Sequence, residues 1–310
     1  MQQTTNTILM IRPINFRMNE QTAVNNYFQE DLDLKNAEIN AKAQEEFDAF
    51  VEKLRAVGIQ VIVENDDVLN DTPDSIFPNN WVSFHSNGDV AKYPMFAENR
   101  RRERRDEIFV RLEEEGFLIE NIIDYTSAEH EGYFLEGTGS VILDRTNRKA
   151  YCALSPRADE ELFIEFCEDF EYSPVIFTAY QSVDGERLPI YHTNVMMCIA
   201  DQFAVICLDS IDDKKERKNV VKNLKQEGKE IISITEAQMH NFAGNMLQLL
   251  GANDKQYLVM SEAAHQSLTA TQVANIEKYC PIISSSLETI ETCGGGSARC
   301  MMAEVFLPKK

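Results

Sequence analysis

The sequence has no pair of cysteines two residues apart, no apolar run of membrane-spanning length and no excess of basic charge. The first absence argues against a metal site, since structural zinc is usually gripped by closely spaced cysteine pairs. The second argues against a membrane partner, because a bilayer span needs ~20 consecutive apolar residues. The third argues against nucleic acid: a net charge of −21 and a pI near 4.7 leave no concentrated cation to meet phosphates. The one basic cluster, "ENRRRERRDE" (98–107), is interleaved with acids and reads as a solvated helix face. The first residues lack a basic segment followed by a long apolar one, so no signal peptide is expected. Proline and glycine are sparse, 9 and 13 in 310 residues, and nowhere form a linker, which predicts one domain over 1–310. The seven cysteines are odd in number and scattered. Cys152, Cys167, Cys198, Cys207 and Cys280 lie in or beside apolar stretches and read as small buried hydrophobes, and Cys293 as structural. A reducing cytoplasm fits that usage.

What the chain does contain is a repeat. Paired short apolar runs with polar turns between them occur at 79–95, 139–155, 194–210 and 244–261, and a fifth run at 299–308 starts in the same way. Their leading residues, Trp81, Val141, Val195, Met246 and Met301, recur every fifty to sixty positions. Helical segments follow. Those at 155–170, 210–226 and 261–279 each open on a serine suited to an N-cap; another spans 97–116, and 36–58 is amphipathic. About five hairpin–helix–strand units result, and their small number makes closure into a ring the expected architecture.

Equivalent positions in such a ring converge on its axis. Just before each hairpin stands a different polar residue or cluster. These are Asp74, Asn79 and Asn80, then Glu136, then His192 and Asn194, then His240, Asn241 and Asn245, and last Cys300 after "GGGSAR". Alone, each has an ordinary reading as a turn, cap or core residue. Together, a thiol, an imidazole and two carboxylates from four units make a plausible nucleophile, proton carrier and cation clamp. His85, His130 and His265 have no such register and read as structural.

The segments "PDSIFPNNW", "LEGTGSVILDR", "YHTNVMM", "NFAGNML" and "GGGSARCMMAEVFLP" together resemble the guanidine-modifying superfamily called the penteins. That superfamily includes arginine deiminases, dimethylarginine dimethylaminohydrolases and amidinotransferases. The nearest likeness is to the bacterial branch labelled amidinotransferase-like or citrulline-utilisation hydrolase. The resemblance implies a five-bladed α/β propeller with an axial site and no cofactor. It also implies roles: Cys300 as nucleophile, His192 as general acid and base, and Glu136 and Asp74 gripping the substrate head. Asn79 falls within the same binding cluster, and Arg157 falls where relatives meet a substrate carboxylate. Several relatives read His-x-Asp where this chain reads His192-Thr193-Asn194. An amide offers a donor and an acceptor but no charge, which suits a ureido or substituted guanidino head over plain arginine. The glycines before Cys300 are expected to leave room for substrate, and neighbouring Arg299 to help the thiol ionise.

The expected activity is therefore hydrolysis of a small guanidino or ureido amino-acid derivative through a covalent cysteine intermediate. Amidino transfer to an amine is the alternative, and a non-catalytic binding protein, like the ribosome anti-association factors of similar fold, is a third. The sequence leaves a homo-oligomer open.

Overall fold

Largely apolar runs last only three to six positions before a turn intervenes, so the strands are short and the sheets narrow. The computed structural model describes residues 2–67 and 69–310 and contains five three-stranded sheets of one design. In four of them an antiparallel hairpin is followed by a helical crossover to a third strand, parallel to the second. These are Val82–Phe84, Asp89–Lys92 and Asn121–Asp124; Val141–Asp144, Lys149–Leu154 and Ser173–Thr178; Met197–Ile199, Phe203–Ile206 and Glu230–Ser233; and Leu247–Leu250, Gln256–Ser261 and Ile282–Ser285. The fifth is assembled from distant parts of the chain. Its strand Thr7–Arg12 pairs in parallel with Gln60–Asn65 and antiparallel with Ala303–Glu304. A two-stranded ribbon, Tyr180–Val183 with Glu186–Pro189, turns at Asp184-Gly185, both at positive φ as a tight hairpin requires.

Helices cover the sheets with one apolar stripe each. Asn36–Ala56 buries Ile39, Ala43, Phe47, Phe50, Val51 and Leu54, spaced three and four apart. Each fully buried Phe on that stripe contributes about 1.5–3 kcal/mol. Among the described residues no helix is long and apolar enough to cross a membrane. All seven cysteines are buried, free thiols.

The helix starts differ from expectation in two units. Asp159 and Asp213, rather than Ser155 and Ser210, cap Glu160–Asp169 and Lys214–Gln226, each accepting two backbone N–H groups. A carboxylate satisfies the positive end of a helix better than a hydroxyl does. Ser261 does cap its helix, but that segment breaks at Leu268 and restarts behind Thr269 as Ala270–Glu277. The expected helix at 97–116 is likewise divided, into a 3₁₀ stretch Glu98–Glu103 and an α-helix Glu107–Glu114.

Candidate active site

Short turns at the head of each hairpin deliver the polar residues. Asn79 and Asn80 lie in the 3₁₀ turn Pro78–Asn80, and Glu136 immediately precedes the single turn Gly137–Ser140. His192 immediately precedes the turn Thr193–Met196, which carries Asn194, and Cys300 sits in the turn that follows Gly294–Gly296. Asp74, Asn79, Asn80, Glu136, His192, Asn194 and Cys300 are each no more than 3% exposed. Close backbone approach makes this packing achievable: a Cβ on Gly139 would stand 2.3 Å from Asn80 Nδ2 and 3.0 Å from His192 Nδ1. The glycines before Cys300 serve a different end from the expected one. Gly295 takes a left-handed φ of 59° to end the helix Glu288–Gly294, while Gly294 and Gly296 press on the ring of Phe77. They accommodate protein atoms rather than leave an open space.

His192 and Glu136 form the centre's closest side-chain pair, with Nε2 2.6 Å from Oε2. Burial opposes charge on both. Arg157 and the His192 bond nonetheless bring Glu136 down to about 2, whereas burial carries His192 down to about 4 against the pull of Glu136. A carboxylate can only accept, so Nε2 bears the hydrogen and Nδ1 carries the free lone pair. The second Glu136 oxygen accepts the backbone N–H of Phe96 at 3.0 Å. A pH–rate profile checks this state: the acid limb of kcat/KM is expected near pH 4, where His192 loses its proton. A limb near the ordinary imidazole value of 6.5 would contradict it.

Cys300 Sγ lies 3.3 Å from Asn194 Nδ2 and 3.2 Å from Asn245 Nδ2. Arg299 does not face it, because its guanidinium bonds Glu304 and the carbonyl of Met302. Asp74 Oδ2 accepts from Asn19 Nδ2 at 2.8 Å and Thr22 Oγ at 3.1 Å. Burial raises Asp74 above the usual carboxylate range, with Arg100 countering. Its other oxygen, both polar side-chain atoms of Asn79 and Nδ2 of Asn80 are buried without a protein partner. Buried polar groups are rarely left so.

Arg157 is buried too. It bonds Asn25 Oδ1 and the carbonyl of Thr22, stands 3.6 Å from Glu136 and packs over the Tyr191 ring. In this conformation it therefore meets the segment 19–30, not an open cavity. Asn26 of that segment also donates towards the carbonyls of Gly294 and Gly295, so the segment covers the centre. The basic cluster overturns its reading as a solvated face. Arg100 is 2% exposed, bonds both Glu103 oxygens at 2.8 and 2.9 Å and Asn80 Oδ1 at 2.9 Å, and lies 3.9 Å from Asp74 and from Glu136. Its burial is tolerable because these partners surround it. Among the described residues no group of three or more histidine, cysteine or carboxylate side chains is arranged to hold a metal.

A profile of the family described as N,N dimethylarginine dimethylhydrolase, eukaryotic, matches residues 12–307. No curated protein sequence matches. Among solved structures, apo ArgZ, an arginine dihydrolase from the ornithine-ammonia cycle in cyanobacteria, shares 16% identity with a TM-score of 0.74. The alignment covers 98% of this chain and 41% of ArgZ, so the chain spans about two fifths of that protein. The N-terminal domain of ArgZ, a cysteine-to-serine mutant bound to substrate, shares 17% identity over 97% of this chain and 99% of its own, with a TM-score of 0.69. A dimethylarginine dimethylaminohydrolase, a histidine-to-glycine mutant as its adduct with S-methyl-L-thiocitrulline, shares 14% over 96% and 98%, with a TM-score of 0.63. These likenesses establish a shared mixed α/β fold.

Proposed function

From a chain that belongs to the N,N-dimethylarginine dimethylhydrolase family, we propose a cysteine-dependent hydrolase of small amino-acid derivatives with a guanidino or ureido head. The observation that carries this reading is the convergence, in one buried centre, of a thiol, a carboxylate-bound neutral imidazole and unpartnered polar atoms on Asp74, Asn79 and Asn80. The five like sheets are then five blades of a propeller whose axis holds the centre, within one catalytic domain over 1–310.

The carbon of a guanidino or ureido group is a poor electrophile, because its nitrogens delocalise into it. A sulfur nucleophile answers that difficulty better than a hydroxyl. The thiol proton passes to bare Nδ1 of His192 as Sγ bonds the carbon. The imidazolium then protonates the leaving nitrogen, and the C–N bond breaks. Water attacks the thioester-like adduct, giving a proton to His192 as its oxygen bonds the carbon. The C–S bond breaks and the sulfur recovers its proton. The sum is one water consumed and one amine released. Glu136, held as an anion, keeps the imidazole in the required tautomer and stabilises its cation. Asp74 Oδ1 and the Asn79 and Asn80 amides take the N–H and C=O or C=N groups of the head, and Arg157 takes a substrate carboxylate once Asn25 is displaced. Positioning of this kind supplies on the order of 7 kcal/mol or more of barrier reduction.

Asn194, an amide where several relatives carry a carboxylate, directs the head-group choice towards neutral or substituted forms. Steady-state release of amine or ammonia from citrulline, dimethylarginine, arginine and agmatine tests the proposal. Turnover of citrulline or dimethylarginine above that of arginine is expected. Turnover of arginine alone would overturn the head-group assignment, and turnover of none of them would overturn the hydrolase.

A further inference from the structure

Asn245 is wholly buried, two residues ahead of the strand Leu247–Leu250, and its side-chain amide bridges the turn that carries the nucleophile and the turn that carries Asn194. Its Oδ1 accepts the backbone N–H of Arg299 at 2.9 Å. Its Nδ2 donates to the carbonyl of Asn194 at 3.0 Å and stands 3.2 Å from Cys300 Sγ. These partners fix which way the amide points. A flipped amide would set oxygen against the Asn194 carbonyl and nitrogen against the Arg299 N–H, losing both bonds. Asn245 therefore presents N–H to the sulfur. Asn194 is not fixed in this way, since its Nδ2 lies 3.3 Å and its Oδ1 3.7 Å from the same sulfur, so that it straddles the thiol.

A donor locked onto sulfur distinguishes the two protonation states. An N–H bond to an anion is roughly twice as strong as one to a neutral acceptor, and bonds to the charged form favour that form. Among the described residues no cation is hydrogen-bonded to the sulfur: the Arg299 guanidinium bonds Glu304 and Met302, and the Arg157 guanidinium meets Asn25, Thr22 and Glu136. We propose that Asn245 is a catalytic residue of this centre, a preset N–H donor that stabilises the Cys300 thiolate and aims it. The inference rests on the reading of Cys300 as nucleophile.

Asn245→Asp separates this role from a structural one. The substitution keeps the shape and the acceptor for the Arg299 N–H, but it removes the donors and sets an anionic oxygen beside the sulfur. The rate of Cys300 alkylation by iodoacetamide is followed against pH, with Cys300→Ala as the blank for the other cysteines, and steady-state kinetics are measured alongside. The alkylation profile of Asn245→Asp is expected to move up by about one pH unit or more. Its kcat is expected to fall by about a hundredfold with KM within a few-fold, as for loss of a donor at a reacting atom. Asn245→Ala, which removes the donor without adding charge, shifts the profile less in the same direction and gives a second test should the aspartate variant fold poorly. Profiles of both variants that superimpose on the parent's would overturn the proposal and leave Asn245 a brace between two turns. Failure of the nucleophile reading shows separately, as turnover that survives in Cys300→Ala.

Discussion

Cys300→Ala is expected to lose turnover by a factor on the order of 10⁴ or more, as for other covalent-catalysis nucleophiles, while staying folded. The sulfur is the atom that must bond carbon, and Cys300 Sγ is the thiol that Asn194 and Asn245 contact, while burial drives the thiols of Cys152, Cys167 and Cys198 to higher pKa. The structural loss is small by comparison. Sγ accepts from two amides, and Asn245 keeps its other two bonds without it. One or two unsatisfied N–H groups cost about 1–3 kcal/mol. Cys300→Ser refines the result, since it preserves an acceptor for both amides and lacks only the sulfur's reactivity. Near-parental unfolding with turnover still abolished in both variants is the expected pair of results, checked by ammonia release and denaturant titration.

Arg100→Ala is expected to be strongly destabilising, by about 3–5 kcal/mol in denaturant unfolding, with a fall in kcat/KM besides. The guanidinium neutralises Glu103 through two bonds and holds Asn80 Oδ1. It also reaches the carbonyls of Asp74 and Phe77 at 3.4 and 3.3 Å. Burial opposes its charge, but Glu103 and Asp74 outweigh that and raise its pKa. Burial also raises Glu103 against the pull of Arg100, so a Glu103 left without its partner takes up a proton more readily, which limits the loss. The double variant Arg100→Met, Glu103→Leu is expected to recover much of the stability but not the activity, because Asn80 and Asp74 would still lack their anchor. Recovery of both would show that the pair serves folding alone.

Much of the centre is legible in the sequence because its residues share a register. Asp74, Asn79, Glu136, His192, Asn194 and Cys300 each precede an apolar hairpin, and the spacing between hairpins is nearly regular. What the sequence hides is set by contacts between distant segments. Arg100 stands in a charge run like any exposed one; its burial depends on Asn80, Asp74 and Glu136 closing around it. Asn19, Thr22 and Asn25 lie in a segment without apolar periodicity, yet they reach Asp74 and Arg157. The helix caps failed for a local reason, in that an aspartate three or four residues on outcompetes a serine. The glycines before Cys300 were visible as a signal, but their physical cause, the ring of Phe77 and the left-handed Gly295, was not.

Intact-protein mass spectrometry after rapid quenching with citrulline or dimethylarginine tests the central claim most directly. A substrate-dependent mass increase that maps to Cys300, is absent from Cys300→Ala and decays as product appears is the predicted result. Product formation with no adduct at any time in the parent, and undiminished in Cys300→Ala, would contradict covalent catalysis by this thiol.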